Sequence, residues 1–142
     1  MIYLDTSVVL PLFVPAAEST LVRRWLARHA SQVLAISDWT LTEFASAIGI
    51  KVRERSLTVR RAREANQLMA ELTAASLVLC LPTRADFLRA SEYLSHHALG
   101  LRAGDALHLA IAGTHNAEAV FSFDRKFVSA GAALGIHTAI PV

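Results

Sequence analysis

Five short apolar segments alternate along the chain with longer segments of helical periodicity, and this alternation restricts the available folds. The strand candidates cover residues 2–4, 33–36, 77–81, 119–123 and 136–140. Strands separated by helical segments are typical of parallel sheets whose strands are joined by helical crossovers. The sequence therefore predicts an α/β fold with a parallel sheet of about five strands, flanked by helices on both faces, in one domain spanning residues 1–142.

The segments between the strand candidates carry helix signals. Predicted helices cover residues 6–13, 18–29, 58–75, 106–115 and 127–134, and two more follow Ser37 or Asp38 and Thr83 as caps. Thr6 or Ser7 is the predicted cap of the first helix. The helix after Thr83 is expected to pack through Phe87, Ala90, Ser91 and Leu94. The helix 106–115 is apolar on nearly every side, so we expect it to be buried.

Composition excludes several classes of protein. Apolar residues make up 54% of the chain and the net charge is only +2, which favours a folded core over disorder. The single cysteine, Cys80, excludes an internal disulfide or a zinc–thiolate cluster, and its apolar neighbours predict a buried, inert thiol. No basic leader precedes Asp5 and no segment is apolar enough to span a bilayer, so we expect a soluble cytoplasmic protein.

Basic residues are concentrated in one segment. Six of the fourteen basic side chains lie within residues 51–63, namely Lys51, Arg53, Arg55, Arg60, Arg61 and Arg63. Such a cluster is either a solvated helical surface or a patch that attracts RNA or an acidic partner protein.

Two acidic residues follow strand candidates. Asp5 follows residues 2–4 and Asp124 follows residues 119–123. Ligands of open parallel sheets bind outside the carboxyl ends of the strands, so the two carboxylates would face each other if these strands are neighbours. Each acid alone is also a common helix cap, and that alternative stays open for both.

Two further acids lie on helices that must pack against the sheet. Glu43 precedes the core position Phe44, and Asp105 begins the most apolar helix, on the face that carries His108. The alternatives are a glutamate stabilised by the helix dipole and a second capping aspartate. We expect His108 to be a packed residue or to support a ligand, rather than to bind a metal itself.

Considered together, the four acids indicate a cation site. Four carboxylates in one partly buried pocket repel each other, and a bound cation removes that repulsion. Oxygen ligands without cysteine or a histidine cluster favour Mg²⁺ or Mn²⁺ over zinc. One or two such ions are the usual apparatus of phosphodiester hydrolysis.

The blocks around these acids resemble the PIN domain, a nuclease family that includes the VapC toxins of bacterial toxin–antitoxin pairs. The matching blocks, which together extend over nearly the whole chain, are Tyr3-Leu4-Asp5-Thr6-Ser7, Thr42-Glu43-Phe44, Arg102-Ala103-Gly104-Asp105-Ala106-Leu107-His108-Leu109-Ala110 and Phe121-Ser122-Phe123-Asp124-Arg125-Lys126-Phe127. One block alone is a weak signal, whereas four in this order are a specific one.

The resemblance implies an activity and its residues. Asp5, Glu43, Asp105 and Asp124 would bind Mg²⁺ or Mn²⁺, with Thr6, Ser7 and Ser122 as supporting hydroxyls. The implied activity is that of a divalent-metal-dependent endoribonuclease which cleaves single-stranded RNA. The resemblance also implies a homodimer and a cognate VapB-like antitoxin.

Two other functions fit parts of the sequence. An aspartyl-phosphate phosphatase would place its nucleophile at Asp5, but such enzymes typically carry a second acid at the position of Ser7 and need a well-placed lysine. The chain has only Lys51 and Lys126. A non-catalytic RNA- or protein-binding module on the same fold is the other alternative, although a pure binder has no use for a costly anionic pocket.

Overall fold

A computed structural model describes residues 1–142 of the chain. The five strands are β1 (Ile2–Leu4), β2 (Leu34–Ser37), β3 (Val78–Cys80), β4 (Ala119–Phe121) and β5 (Thr138–Ala139). All neighbouring strands are parallel, in the order β3-β2-β1-β4-β5. The predicted α/β class with a five-stranded parallel sheet is confirmed.

Seven helices connect the strands. They are α1 (Thr6–Val9), α2 (Ser19–Arg28), α3 (Asp38–Arg53), α4 (Val59–Ser76), α5 (Arg84–Ser95), α6 (Ala103–Thr114) and α7 (Arg125–Ala133). The Ser37 side chain caps α3 by accepting a hydrogen bond from the Thr40 amide, so that predicted cap is confirmed. Thr58 caps α4 in the same way through the Arg61 amide.

The sheet is covered on both faces because side chains along each strand alternate between two hydrophobic cores. Ile2 and Leu4 of β1 belong to the core that α1, α2, α3 and α4 complete. Tyr3 belongs to the opposite core, which is formed with α5, α6 and α7. Residues 106–112 of α6 are all buried, as predicted from their apolar sequence.

Several elements are shorter than predicted, and two of them have a clear local reason. The helix expected over residues 6–13 ends at Val9 and continues as a 3-10 turn through Leu12, because Pro11 has no amide hydrogen to donate. Its cap is Asp5 rather than Thr6 or Ser7. Strand β4 stops at Phe121 instead of residue 123. The Ser122 amide still donates to the carbonyl of Ala139 in β5, but the amides of Phe123 and Asp124 donate to side-chain hydroxyls.

The packed side of α5 was predicted only in part. Ala90 is buried and Leu94 packs against the core, as predicted, but Phe87 is 54% exposed and Asp86 is buried. Asp86 accepts hydrogen bonds from the amide and hydroxyl of Thr83 at 2.7 and 2.9 Å, and from the hydroxyl of Thr114 at 2.5 Å. A fully bonded carboxylate therefore takes the buried position that hydrophobicity gave to Phe87.

Cys80 is buried, as predicted, and burial raises the pKa of its thiol. An un-ionised, inaccessible thiol is unreactive. None of the helices has both the length and the apolar character needed to cross a membrane.

The strand order creates a crevice beside β1. From β1 the chain forms β2 and β3 on one side, and then returns to the other side for β4 and β5. Open parallel sheets bind ligands where the strand order reverses in this way. Asp5 follows β1 and Asp124 lies three residues after β4, so the neighbouring positions expected for these acids are confirmed.

Candidate metal centre

Asp5 lies directly after β1 and is buried, with 8% of its surface exposed. Its Oδ2 atom accepts hydrogen bonds from the hydroxyls of Ser7 and Ser122, each at 2.7 Å. Ser7 belongs to α1, and Ser122, which is fully buried, follows β4. The structure thus brings two of the expected supporting hydroxyls to one oxygen of Asp5.

Glu43 reaches the same crevice from the second turn of α3. Its Oε2 atom accepts hydrogen bonds from the Thr6 hydroxyl at 2.6 Å and from His108 Nε2 at 2.7 Å. Burial alone would raise the pKa of Glu43, but these hydrogen bonds outweigh burial and hold the pKa below its ordinary value. Glu43 is therefore a fixed, ionised carboxylate at neutral pH.

Asp105 lies in the first turn of α6 and is half-buried. Its Oδ2 atom accepts a hydrogen bond from the Arg102 amide at 3.0 Å, which caps the helix. Burial raises the pKa of Asp105, and the charges of Asp124 and Asp5 raise it further. Asp105 therefore lies close enough to Asp124 and Asp5 for their charges to act on it.

Asp124 is the N-cap of α7, as one of its two interpretations predicted. Its Oδ1 atom accepts hydrogen bonds from the amides of Lys126 and Phe127 at 2.8 and 3.3 Å. Its own amide donates to the Ser122 hydroxyl that also holds Asp5. Capping and membership of the acidic group are compatible, because the cap occupies only one carboxylate oxygen.

His108 takes a more direct part in the site than its sequence position indicated. It is 1% exposed, as expected of a packed residue. Its Nε2 atom also lies 3.3 Å from Asp5 Oδ1, and its Nδ1 atom lies 2.8 Å from the Tyr3 hydroxyl. The one sequence signal for this role was that His108 follows Asp105 by three residues, which places both side chains on one face of α6.

The four acids share a pattern of hydrogen bonding. Each uses one carboxylate oxygen for its short hydrogen bonds within the protein. The second oxygens of Asp105 and Asp124 have no hydrogen-bond donor, that of Asp5 has only His108 Nε2 at 3.3 Å, and that of Glu43 is approached only by the buried indole NH of Trp39. Ligating atoms of Asp5, Glu43 and His108 lie within 4.8 Å of one another. Carboxylate oxygens with so few hydrogen-bond donors in a partly buried pocket fit a hard divalent cation.

The basic segment lies apart from these acids. At 1.5 Å per residue, Lys51 and Arg53 are about 12 to 15 Å further along α3 than Glu43. Arg60 forms an exposed ion pair with Glu64 at 3.5 Å. Arg61 lines a cavity of about 360 Å³ between α2 and α4. The segment is therefore an outer basic surface and not a part of the acidic pocket.

Comparison with known proteins agrees with this architecture. Residues 2–133 match the family model of the PIN domain. No curated protein matches the sequence at a significant level.

Several solved structures share the fold. The toxin VapC20 of Mycobacterium tuberculosis, described as cleaving the sarcin–ricin loop, superposes with a TM-score of 0.73 at 22% identity over 92% of this chain and 95% of its own. FitAcB of Neisseria gonorrhoeae gives 0.68 at 19% identity, over 99% and 98% of the two chains. VapBC2 of Rickettsia felis, solved with a fragment of promoter DNA, gives 0.69 at 16% identity over the same shares. At these identities the likeness shows a common fold.

Proposed function

The chain belongs to the PIN domain family, and we propose that it is a VapC-type toxin: a divalent-metal-dependent endoribonuclease that cleaves single-stranded RNA. The family membership rests on the match over residues 2–133. The activity is supported by four acids around the crevice between β1 and β4, each of which has one carboxylate oxygen outside its short hydrogen bonds. A nuclease requires such a site, and a binding module does not.

In this proposal Asp5, Glu43, Asp105 and Asp124 hold Mg²⁺ or Mn²⁺. A divalent ion bound there would lower the pKa of a coordinated water and neutralise charge on the scissile phosphate. Carboxylate oxygen ligands suit these two ions better than they suit zinc. Binding of a cation would also relieve the repulsion from Asp124 and Asp5, which adds to the effect of burial in raising the pKa of Asp105.

The protein side chains position groups and do not attack the phosphate. The hydroxyls of Ser7 and Ser122 both donate to Oδ2 of Asp5 and orient a carboxylate that is proposed to hold the metal, and Ser122 is fully buried, out of reach of a substrate. His108 directs Nε2 at Glu43 and so has no free nitrogen for the substrate. We therefore propose that water supplies the attacking oxygen.

Single-stranded RNA is the proposed substrate because an unpaired segment can bend into the crevice. The activity described for VapC20, cleavage of the sarcin–ricin loop, supports RNA as the substrate class. The basic residues between positions 51 and 63 are proposed to contact RNA phosphates or an acidic partner. Such a substrate also requires the chain to act in the cytoplasm, as the sequence predicts.

The proposal includes two protein partners, a cognate VapB-like antitoxin and a second copy of the chain. Several of the similar structures are VapBC or FitAB assemblies, which supports the antitoxin. The homodimer rests on the family resemblance. Light scattering of the purified chain, alone and with a co-expressed antitoxin, would test both.

The test of the activity is cleavage of a mixed RNA pool by the purified protein with Mg²⁺, with Mn²⁺ and with EDTA. We expect cleavage with either metal, none with EDTA, and none by the Asp5→Asn variant. Glu92→Gln is the matched control, because Glu92 is an exposed acid on α5. RNA binding without metal-dependent cleavage would favour the non-catalytic module.

A further inference from the structure

We propose that His108 is a positioning residue that holds Glu43 for the metal by hydrogen bonding, and that Tyr3 fixes the tautomer this requires. The inference rests on the proposed function, since it concerns how one of the acids is presented to the cation. It gives a specific role to a buried chain of hydrogen bonds between side chains, which runs from Tyr3 in β1 through His108 in α6 to Glu43 in α3.

The proposal assigns a single proton to the His108 ring, and the contacts along this chain of hydrogen bonds then place the other protons. His108 Nε2 lies 2.7 Å from Oε2 of Glu43, and a carboxylate oxygen can only accept, so Nε2 carries the proton. In the neutral ring Nδ1 is then an acceptor. The Tyr3 hydroxyl, 2.8 Å from Nδ1, supplies the donor.

The chain is completed at Ser37, at the end of β2. The Ser37 hydroxyl lies 2.7 Å from the Tyr3 oxygen and donates to it, because the proton of Tyr3 is used toward His108. Ser37 in turn accepts from the amide of Thr40. Every hydrogen-bonding group in the chain is thereby satisfied by one tautomer of the histidine.

This arrangement removes His108 from the ligands of the metal. With a proton on Nε2 and a hydrogen bond at Nδ1, the ring has no lone pair to offer an ion, although Nε2 lies near both Asp5 and Glu43. The ligand set stays entirely oxygen, which favours Mg²⁺ and Mn²⁺ over softer ions.

The same hydrogen bond fixes the direction of Glu43. Thr6 from α1 and His108 from α6 both donate to Oε2, which leaves Oε1 for the cation. A glutamate on a flexible stem otherwise loses side-chain entropy when it binds a metal. Partners that orient a ligand in this way typically change metal affinity about 10- to 100-fold when they are removed.

The first test reads the protonation of the wild-type protein and uses a variant only to assign the His108 signals. Long-range ¹H–¹⁵N spectra of the histidine rings, with His108 identified by its absence in His108→Gln, report which nitrogen carries the proton. We expect a protonated Nε2 and an unprotonated Nδ1, both without and with saturating Mg²⁺. Loss of the Nε2 proton when Mg²⁺ is added, or a protonated Nδ1, would overturn the assignment.

The second test measures Mn²⁺ affinity by electron paramagnetic resonance of the free ion. His108→Phe keeps the ring volume without the donor, and we expect its dissociation constant to rise about 10- to 100-fold. His108→Gln retains a donor at nearly the same distance and should recover most of the affinity. Tyr3→Phe should weaken Mn²⁺ binding, and should add little to His108→Phe, because both act through one chain. The exposed His97 supplies the control, His97→Phe.

The outcomes separate this inference from the proposed function. Unchanged Mn²⁺ affinity in folded His108→Phe, with a wild type that binds Mn²⁺ and cleaves RNA, overturns the role of His108 alone. A wild type that neither binds Mn²⁺ nor cleaves RNA overturns the proposed function, and with it the ligand that His108 would position.

Discussion

Oε1 of Glu43 packs directly against Gly104, so that a Cβ atom at position 104 would lie 2.5 Å from it. Gly104 belongs to α6 and precedes Asp105, whereas Glu43 belongs to α3. The two helices can bring their acids together only because the first turn of α6 has no side chain at this point. The geometry of the centre therefore depends on a backbone contact as well as on its carboxylates.

Replacement of Gly104 by alanine should lower metal binding and RNA cleavage while it changes the free energy of unfolding little. The new methyl group would push the Glu43 carboxylate out of its position, toward the solvent to which its side chain is 30% exposed. Alanine favours the helix by about 0.5 to 1 kcal/mol, so unfolding free energy should change little. Mn²⁺ affinity and RNA cleavage should fall at least about 10-fold. Urea denaturation and Mn²⁺ titration of the same preparation measure both.

Gly113→Ala is the matched control, because it lies on the same helix and a Cβ there would meet nothing within 4 Å. It should retain full cleavage. If Gly104→Ala also retained wild-type cleavage and Mn²⁺ affinity, the placement of Glu43 at the metal would be wrong.

Ser122→Ala should cost both stability and activity. The variant removes a buried donor to Asp5 and leaves the Asp124 amide without its acceptor. Hydrogen bonds to charged groups contribute about 1.5 to 3 kcal/mol, so we expect a loss of that size in urea denaturation. Ser129→Ala, a position on α7 away from the acids, should be neutral. A Ser122→Ala protein as stable as the wild type would show that Asp5 does not depend on this hydroxyl.

Without metal, Asp105→Asn should be more stable than the wild type at pH 7. Burial, followed by the charges of Asp124 and Asp5, raises the pKa of Asp105, so the folded state binds its proton more tightly than the unfolded state. The wild type therefore loses stability as the pH rises from the ordinary value of 3.8 to the raised pKa, and the deficit persists above it. Urea denaturation in EDTA from pH 3 to pH 7 measures this difference.

The advantage of Asp105→Asn should vanish as the pH falls below 3.8, where both states of the wild type are protonated. It should also be reversed by Mg²⁺, which stabilises only the protein that binds it. Glu92→Gln, at an exposed site, should show neither effect. A variant that is less stable than the wild type at pH 7 in EDTA would contradict the crowding of these acids.

The positions of the acids could be predicted from the sequence, whereas their contacts could not. Asp5 and Asp124 were predictable because parallel strands end at one edge of a sheet. The bond between Glu43 and His108 joins residues 65 positions apart and depends on how α3 and α6 cross. Periodicity indicates which face of a helix is buried, but it does not indicate which atoms meet across that face.

The error at α5 has a related cause. Hydrophobic patterning assigns aspartate to the solvent, yet Asp86 is buried because Thr83 and Thr114 supply its hydrogen bonds. Thr114 lies 28 residues away on α6. A buried charge whose partners are distant in sequence leaves no periodic signal, and the helix was therefore predicted with Phe87 on its packed side.

Charge reversal in the basic segment should weaken RNA binding without affecting the metal. Arg60, Arg61 and Arg63 lie on the exposed start of α4. Removing one ion pair with an RNA phosphate should reduce the steepness of log affinity against log salt by about 0.7. We expect a triple glutamate variant to bind RNA more weakly with unchanged Mn²⁺ affinity. The control variant replaces Arg84 and Arg89 on α5 by glutamate, and it should bind RNA as the wild type does. Unchanged RNA binding over a range of salt concentrations would show that the basic segment does not bind RNA and would favour contact with an acidic partner protein.

The most direct test titrates Mn²⁺ into metal-free protein and measures bound metal and RNA cleavage in the same samples. The proposal predicts that the cleavage rate rises in proportion to metal bound at the site, and that the Asp5→Asn protein, folded by circular dichroism, shows neither. Cleavage by metal-free protein, or an Asp5→Asn protein that cuts RNA as fast as the wild type, would contradict a metal-dependent nuclease built on these acids.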